Sequence, residues 1–367
     1  MHLLKSVLSG AAIAVLATSV AGQDPGYAPS AVALPPAVQT APAIPPEPTV
    51  SPEAPGNRGD VTRIDQYCAA SVPPTFDVTI EALLWRLEHT WGQAMILNPI
   101  LGTETRTDAL DLGMAAGPRI NVAYLADQGI EDVQGFETSY FGLYNWTARR
   151  TEVAPVGTFL RLPDRFRDPG VTTDFSAAEE MRVRYDVQLN SVEVNLLLGR
   201  LQAPFSWIFG GRFIRLEEEF NLDSLTAGRT SFYHVGTRND LWGVQWGFRW
   251  NRRRGYWTLS TMLKVGIFDN QARQNTLVTD VDRTVVLRNF STETPIATAV
   301  VDGGFSLAYQ INAFWSVRAG YNVFWMNNVA RATDQLDFSD NPLSGSRLFF
   351  RQDAVAHGLN FGLERRW

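Results

Sequence analysis

The sequence predicts an all-β fold, a closed antiparallel transmembrane β-barrel of about 10 strands (8 to 12), and three observations predict it. From about Thr75 onward the chain is a series of short runs rich in Trp, Tyr, Phe, Val and Leu that alternate with small or polar residues. Trp242, Val244, Trp246, Phe248 and Trp250, with Gly243, Gln245, Gly247 and Arg249 between them, form the clearest run. Successive strand side chains point to opposite faces, so such a run offers one face to lipid and the other to a polar interior. Second, no later segment has the roughly 18 uninterrupted apolar residues that a membrane-spanning helix needs. Only helices and closed barrels satisfy every backbone hydrogen-bonding group in lipid, which leaves the barrel. Third, the connections alternate long and short, as in barrels with tight turns on one side of the membrane and long loops on the other.

Taken in order, the chain opens with Lys5, an apolar stretch from Val7 to Val20, and the small residues Ser19 and Ala21 before Gly22. This is the pattern of a secretory signal peptide over residues 1–21, cleaved after Ala21. Residues 22–73 are rich in Pro and Ala, with Pro35-Pro36 and Pro45-Pro46, and hold too few large apolar residues for a packed core. They are expected to form an extended, disordered periplasmic tether, with a contact to the cell wall or a partner as the other reading. The single cysteine, Cys68, excludes an intramolecular disulfide and lies far from the signal peptide, which argues against lipid modification. The barrel takes residues 74–367. The net charge of -6 gives no support to nucleic-acid binding, and no zinc-ligand spacing is present. Of the 32 basic residues only Lys5 and Lys264 are lysines; codon bias explains this, as does a wet lumen in which arginine pairs with carboxylates.

Within the barrel the strands are expected near residues 76–87, 117–126, 134–149, 183–200, 205–217, 240–251, 256–268, 297–311, 314–327 and 355–367. Short turns centre on Gly129, Gln202, Arg253 and Asn312, and long loops run over 88–116, 150–182, 218–239, 269–296 and 328–354. An even strand count places both termini on the periplasmic side. One phase slip interrupts the pattern: Tyr185, Val187 and Leu189 are apolar at odd positions, but Val192, Val194, Leu196 and Leu198 at even ones. A bulge or a hairpin turn at Asn190-Ser191 accounts for it. Trp207, Trp250, Trp257, Trp315 and Trp367 lie near the short turns or the C-terminus and are expected to form an interfacial aromatic belt, with Trp146, Trp242 and Trp325 near the opposite ends.

The phase that would face the lumen carries Glu81, Arg119, Asn121, Glu137, Glu193, Asn195, Arg212, Gln245, Arg249, Lys264, Arg318, Asn322, Glu364 and Arg366. Half-buried charges are costly unless paired, so these residues read as a salt-bridged network bracing a narrow barrel. The other reading is a charged constriction selecting small ionic or polar solutes. For chemistry at the rim, the histidines after the signal peptide are His89 near Glu88, His234 near Asp240, and His357; closeness in sequence is a weak signal. Gly210-Gly211 and Gly303-Gly304 read as bulges or close backbone approaches. The acidic pairs Glu179-Glu180, Asp280 with Asp282, and Asp337 with Asp340 suit Ca²⁺ less well than solvated loop charge. No catalytic residue, metal or cofactor is expected.

The C-terminal run alternates Leu359, Phe361 and Leu363 with Asn360, Gly362 and Glu364 and ends on Trp367, which looks like the assembly signal of bacterial outer-membrane barrels; Arg365 interrupts its apolar row as an interfacial residue. Residues from about 75 to 367 resemble the beta-barrel porin-7 family. The resemblance is carried by Val192-Glu193-Val194-Asn195-Leu196, by Gly210 to Glu218, by Arg318 to Trp325, and by Ala330 to Gln335. It implies a location in the bacterial outer membrane, contact with its lipid, and assembly machinery that reads the last strand. The expected function is porin-like passive passage of small polar or ionic solutes. Its alternatives are a non-conducting structural or surface-interaction barrel whose long loops bind a partner, and an enzyme of the rim. The tether reading predicts that deleting residues 23–70 leaves a barrel that still shifts on a gel with heating; loss of that shift would make the segment integral to the fold.

Overall fold

The structure, a computed structural model, describes residues 75–88, 92–125, 133–163, 175–199, 203–280, 283–339 and 344–367. The proposed signal peptide, the tether, Cys68 and His89 lie outside them. In chain order the strands are β1 (Thr75–Glu88), β2 (Ala94–Asn98), β3 (Thr103–Arg106), β4 (Met114–Leu125), β5 (Val133–Val153) and β6 (Glu180–Leu198). They continue with β7 (Phe205–Thr226), β8 (Arg229–Arg254), β9 (Trp257–Thr279), β10 (Val286–Gln310), β11 (Trp315–Met326) and β12 (Ala354–Arg366). Ten of these form a closed barrel in which each strand pairs antiparallel with its chain neighbour and β1 closes onto β12; β2 and β3 make a separate hairpin. The closing seam ends with Phe76 and Trp367 exchanging both backbone hydrogen bonds at 3.0 Å.

On β1 and on the longer strands the apolar face changes sides once along the length. On β6, Val192 and Val194 face outward and Ser191, Glu193 and Asn195 face inward, as a membrane segment requires. Beyond Asn190 the pattern inverts, with Met181, Val183, Tyr185, Val187 and Leu189 buried inside and Arg182, Arg184 and Asp186 outside. Strand β1 does the same: Asp77, Thr79 and Glu81 give way to Leu83, Trp85 and Leu87 on its inner face, while outside Ile80 and Leu84 give way to Arg86 and Glu88. One half of the barrel is therefore apolar outside and polar inside, and the other half is a solvated β-barrel with an ordinary apolar core.

This inversion corrects several expectations. The phase slip at Asn190-Ser191 is neither bulge nor turn: β6 pairs there without a break, Asn190 with Arg215 and Ser191 with Ile214. The irregularity sits on the neighbouring β5, between Leu143 and Trp146. The expected long loops 218–239 and 269–296 are mostly strand, because β7 and β8 run to a tight turn at Ala227-Gly228, and β9 and β10 extend to Thr279 and from Val286. Their outward charges, among them Glu219 and Asp223, read as loop in a membrane frame but suit the outer face of a strand in water. The glycine pairs 210-211 and 303-304 are not bulges, since pairing is continuous through both. One glycine of each pair is a close approach: a Cβ on Gly210 would lie 2.3 Å from the Val194 carbonyl oxygen, and one on Gly304 would lie 2.8 Å from that of Tyr321.

The apolar core crosses the barrel above the inversion. Trp85, Phe141 and Phe324 meet at centroid separations of 5.4 Å (Trp85–Phe141), 5.7 Å (Phe141–Phe324) and 6.4 Å (Trp85–Phe324). Trp146, expected in an outer aromatic belt, is instead fully buried in this core and donates from its indole to the Trp85 carbonyl at 3.0 Å. Between β11 and β12, Val329, Ala330, Ala332, Leu336 and Phe338 are buried and complete the core.

The face exchange is testable by paired substitutions. Val194→Arg, on the lipid face, is expected to cost about 2–4 kcal/mol, whereas Arg184→Leu, beyond the bilayer, should change stability by no more than about 0.5 kcal/mol. Reversible unfolding in lipid vesicles measures both, and equal effects would refute the assignment of faces.

Candidate functional site

The polar half of the barrel holds a cavity of about 880 Å³ that opens at the short-turn end, where Pro204, Arg252, Arg253, Gln310 and Phe314 line it. Its walls are made by the inward phase of the strands, so its charged groups come from the alternation itself. At its inner end, Arg212 Nη1 lies 2.9 Å from Asp302 Oδ2 and 3.4 Å from Glu193 Oε2, and Lys264 Nζ lies 2.6 Å from Glu193 Oε1. Gln245 Nε2 donates to Glu193 Oε2 and to Asn195 Oδ1, both at 2.7 Å. Nearer the opening, Arg119 and Arg318 approach Glu81 at 3.2 and 3.3 Å, and Asn360 donates to it at 2.9 Å. Arg249 contacts Glu137 at 2.7 Å, and Arg318 lies 3.6 Å from Glu364. Five basic groups (Arg119, Arg212, Arg249, Lys264, Arg318) thus face five acidic ones (Glu81, Glu137, Glu193, Asp302, Glu364), and none is buried alone.

The ceiling of the cavity is the aromatic cluster of the core. The Arg119 guanidinium sits 5.3 Å from the Trp85 ring centre, and that of Arg212 sits 4.9 Å from the centre of Phe324. Each places a cation against an aromatic face, the arrangement that lets a charged layer pack directly on an apolar one.

Above this ceiling, the described residues between β11 and β12, 327–339 and 344–353, are latched to the barrel wall. Arg331, fully buried, donates to Glu218 Oε1 and, at 3.2 Å, to the Tyr185 hydroxyl. Tyr185 Oη and the Ala332 backbone N–H both donate to Glu218 Oε2 at 2.7 Å. On β8, Asn239 holds Ala330 by two hydrogen bonds of 2.7 and 2.8 Å, while Arg288 of β10 donates to the carbonyl of Asp337 at 2.9 Å. Within the segment, burial pushes the Asp334 carboxyl above its ordinary value, although Gln352 and the Arg351 amide donate to it. Burial acts on Asp337 in the same sense, but hydrogen bonds from Ser339 and Gly345 outweigh it and hold that carboxyl low.

The structure places Glu81, Arg119, Glu193, Arg212, Arg249, Lys264, Arg318, Asn322 and Glu364 on the cavity wall, and Asn195 inside the barrel but behind it. Asn121, Glu137 and Arg366 also line the cavity, while Gln245 is buried among the network. Trp207, Trp257, Trp315 and Trp367 are exposed at the short-turn end, with Trp250 half-buried there. The Arg365 guanidinium covers Trp315 at 5.3 Å and Trp367 at 5.1 Å, which explains a charge in the last apolar row. Among the described residues the histidines do not assemble a site: His234 contacts Asn221 at 2.8 Å on the outer surface, and Asp240, six residues further along the same strand and about 20 Å away, pairs with Arg215 and Arg238. His357, also outward, lies 3.0 Å from Glu88 and 2.6 Å from the Tyr321 hydroxyl. Asp280 and Asp337 cap their own turns; Asp282 and Asp340 lie outside the described residues. Asp302, Glu218 and Arg331 were not legible as site residues, although Asp302 shares the inward phase of Gly304 and Ser306.

A closed barrel of ten antiparallel strands with an apolar band outside and paired charges within is a transmembrane β-barrel of the outer-membrane type. The chain belongs to the family described as Putative beta barrel porin-7 (BBP7), whose model matches residues 176–367. No curated protein matches it. Among solved structures, Ail, the attachment invasion locus protein of Yersinia pestis, in complex with the heparin analogue sucrose octasulfate, is 10% identical, with 80% of this chain and 99% of that one covered at a TM-score of 0.27. The translocator domain of the autotransporter NalP from Neisseria meningitidis is 9% identical, with 79% and 88% covered and a TM-score of 0.35. The toluene transporter TodX of P. putida is 10% identical, with 80% and 89% covered and a TM-score of 0.29. At these values the likenesses carry no argument about what this chain binds or passes.

The network predicts a position-dependent cost. Glu193→Ala leaves Lys264 and Arg212 sharing Asp302 and is expected to cost on the order of 3–5 kcal/mol, whereas Glu364→Gln near the mouth should cost less than about 1 kcal/mol. Urea midpoints of the refolded variants decide it; equal effects would mean the inner pairs are not desolvated.

Proposed function

We propose that the protein resides in the bacterial outer membrane as a barrel that is closed at rest. It raises a packed β-domain beyond the bilayer and keeps a polar vestibule open to the periplasm. One observation carries this reading: above the cavity, Trp85, Phe141 and Phe324 share one buried apolar cluster with Val329, Ala332, Leu336 and Phe338 of the latched segment. Membership of the porin-7 family and the outward apolar band support the location. In this reading the outward half offers a stable platform of solvated strand faces and loops for a partner at the cell surface.

Passive passage of small polar or ionic solutes is the second reading, and the vestibule favours it. A ten-stranded barrel filled only by side chains has no need of an 880 Å³ cavity lined with paired charges. Passage then requires the aromatic ceiling and the segment 327–353 to separate.

Planar-bilayer recording of the refolded protein, with folding verified by the heat-dependent gel shift, tests both. The closed reading expects a silent bilayer for the wild type. Stable wild-type openings that scale with salt would replace it with passive passage. Openings seen only after Arg331→Ala would assign the segment 327–353 as the closure.

A further inference from the structure

The vestibule does not present its balanced charges evenly. In each pair near the opening the carboxylate lies deeper than its partner: side-chain exposures are 24% for Arg249 against 3% for Glu137, and 20% for Arg318 against 5% for Glu81. Arg119 follows the same order at 13%. The acids are spent on structure at the wall, and the guanidinium edges are left facing the void.

Those edges have donors to spare. A guanidinium carries five N–H groups in a rigid fork. Arg249 places one nitrogen on Glu137, and Arg318 gives a hydrogen bond to Ser306 at 2.7 Å beside its looser contacts with Glu81 and Glu364. At the mouth the lining holds Arg252, Arg253 and Arg366 against Asp77 and Glu364, so the path in is also basic on balance. The cavity volume of about 880 Å³ falls within the range of small-molecule sites.

From these observations we propose that the vestibule is a binding site for small oxyanions, carboxylates or phosphate, entered from the short-turn end and held between Arg249 and Arg318. The fork of an arginine matches the two oxygens of a carboxylate or phosphate, and in a confined, partly desolvated space such charge-assisted bonds are strong. The carboxylates behind the guanidiniums hold them in place, so the site is preorganised before the anion enters. The inference needs the cavity to be open to solvent at the short-turn end and is independent of whether the barrel conducts.

Isothermal titration of the refolded full-length protein with succinate, with inorganic phosphate and with the dication putrescine, at constant ionic strength, tests it. Saturable binding of at least one anion, and none of putrescine, is expected. Arg249→Gln and Arg318→Gln should each weaken that binding at least tenfold, and Arg249→Lys should restore part of it. Arg273→Gln on the outer wall should leave it unchanged. Absence of saturation by both anions, a preference for putrescine, or wild-type affinity in the folded Gln variants would each overturn the site. If the Gln variants fail to show the heat-dependent gel shift, the wild-type comparison of anions with putrescine decides alone. A conducting wild type would defeat the closed-barrel reading without moving any of these affinities.

Discussion

The strands are longer than the membrane is thick, and the ladder that closes the barrel continues past the bilayer into water. A tilted strand crosses the hydrocarbon in about 9–11 residues, whereas β8 has 26 and β10 has 25. Backbone pairing is indifferent to this change of solvent, but side chains are not. Lipid demands apolar residues outside, and the narrow lumen beside it is left to polar ones. Water reverses both demands. The single exchange of faces at Asn190-Ser191 on β6, and between Glu81 and Leu83 on β1, is the solution that keeps one continuous sheet in both media.

That exchange places a polar chamber directly beneath an apolar core, and the boundary between them needs groups that suit both. Arg119 and Arg212 fill this role. Each puts a guanidinium against an aromatic ring of the core while its nitrogens meet Glu81 or Asp302 below. Lysine would be a poorer choice, since its compact, strongly hydrated ammonium neither stacks on a ring nor bridges two acceptors in one plane. Lys264, the one lysine of the barrel, lies away from that boundary's rings and meets only the carboxylates of Glu193 and Asp302. Desolvated pairs of this kind add little net stability compared with an apolar filling. Their contribution is to keep the chamber wet enough to hold a cavity and ordered enough to keep its shape.

The half of the strands in lipid was legible in the sequence because alternation there matches the membrane rule. Trp242 to Trp246 stand outward, and residues such as Glu81, Arg119 and Glu364 line the cavity, by that one rule. The half in water was not legible, because the same alternation with the phase reversed looks like a break. Glu219 and Asp223 read as loop and β6 as a strand with a slip, although a second rule applied to the same period joins both halves. Trp146 was misplaced for a related reason: near a strand end a tryptophan suits the interface, but the displaced pairing next to it on β5 turns this one inward. The Arg331–Glu218 contact lay beyond sequence reasoning altogether, since the two residues are 113 apart in the chain and carry no period that relates them.

That contact also sets how the outward half must fold. Glu218 is buried on β7 with its two oxygens taken by Arg331, Tyr185 and the Ala332 amide, so a barrel formed without the segment 327–353 would bury an uncompensated carboxylate. The penalty for such a charge is several kcal/mol, a large fraction of the stability of any single domain. The segment in turn has no apolar surface to rest on until Tyr233, Phe220 and Leu222 line the barrel wall. Neither part is stable alone, which makes the outward half of β6, β7 and β8 and the segment between β11 and β12 one cooperative unit. Two of the stretches that carry the family resemblance, Gly210 to Glu218 and Ala330 to Gln335, are the two sides of that contact. Both sides of that contact therefore lie within residues 176–367, the part of the chain that the family model matches.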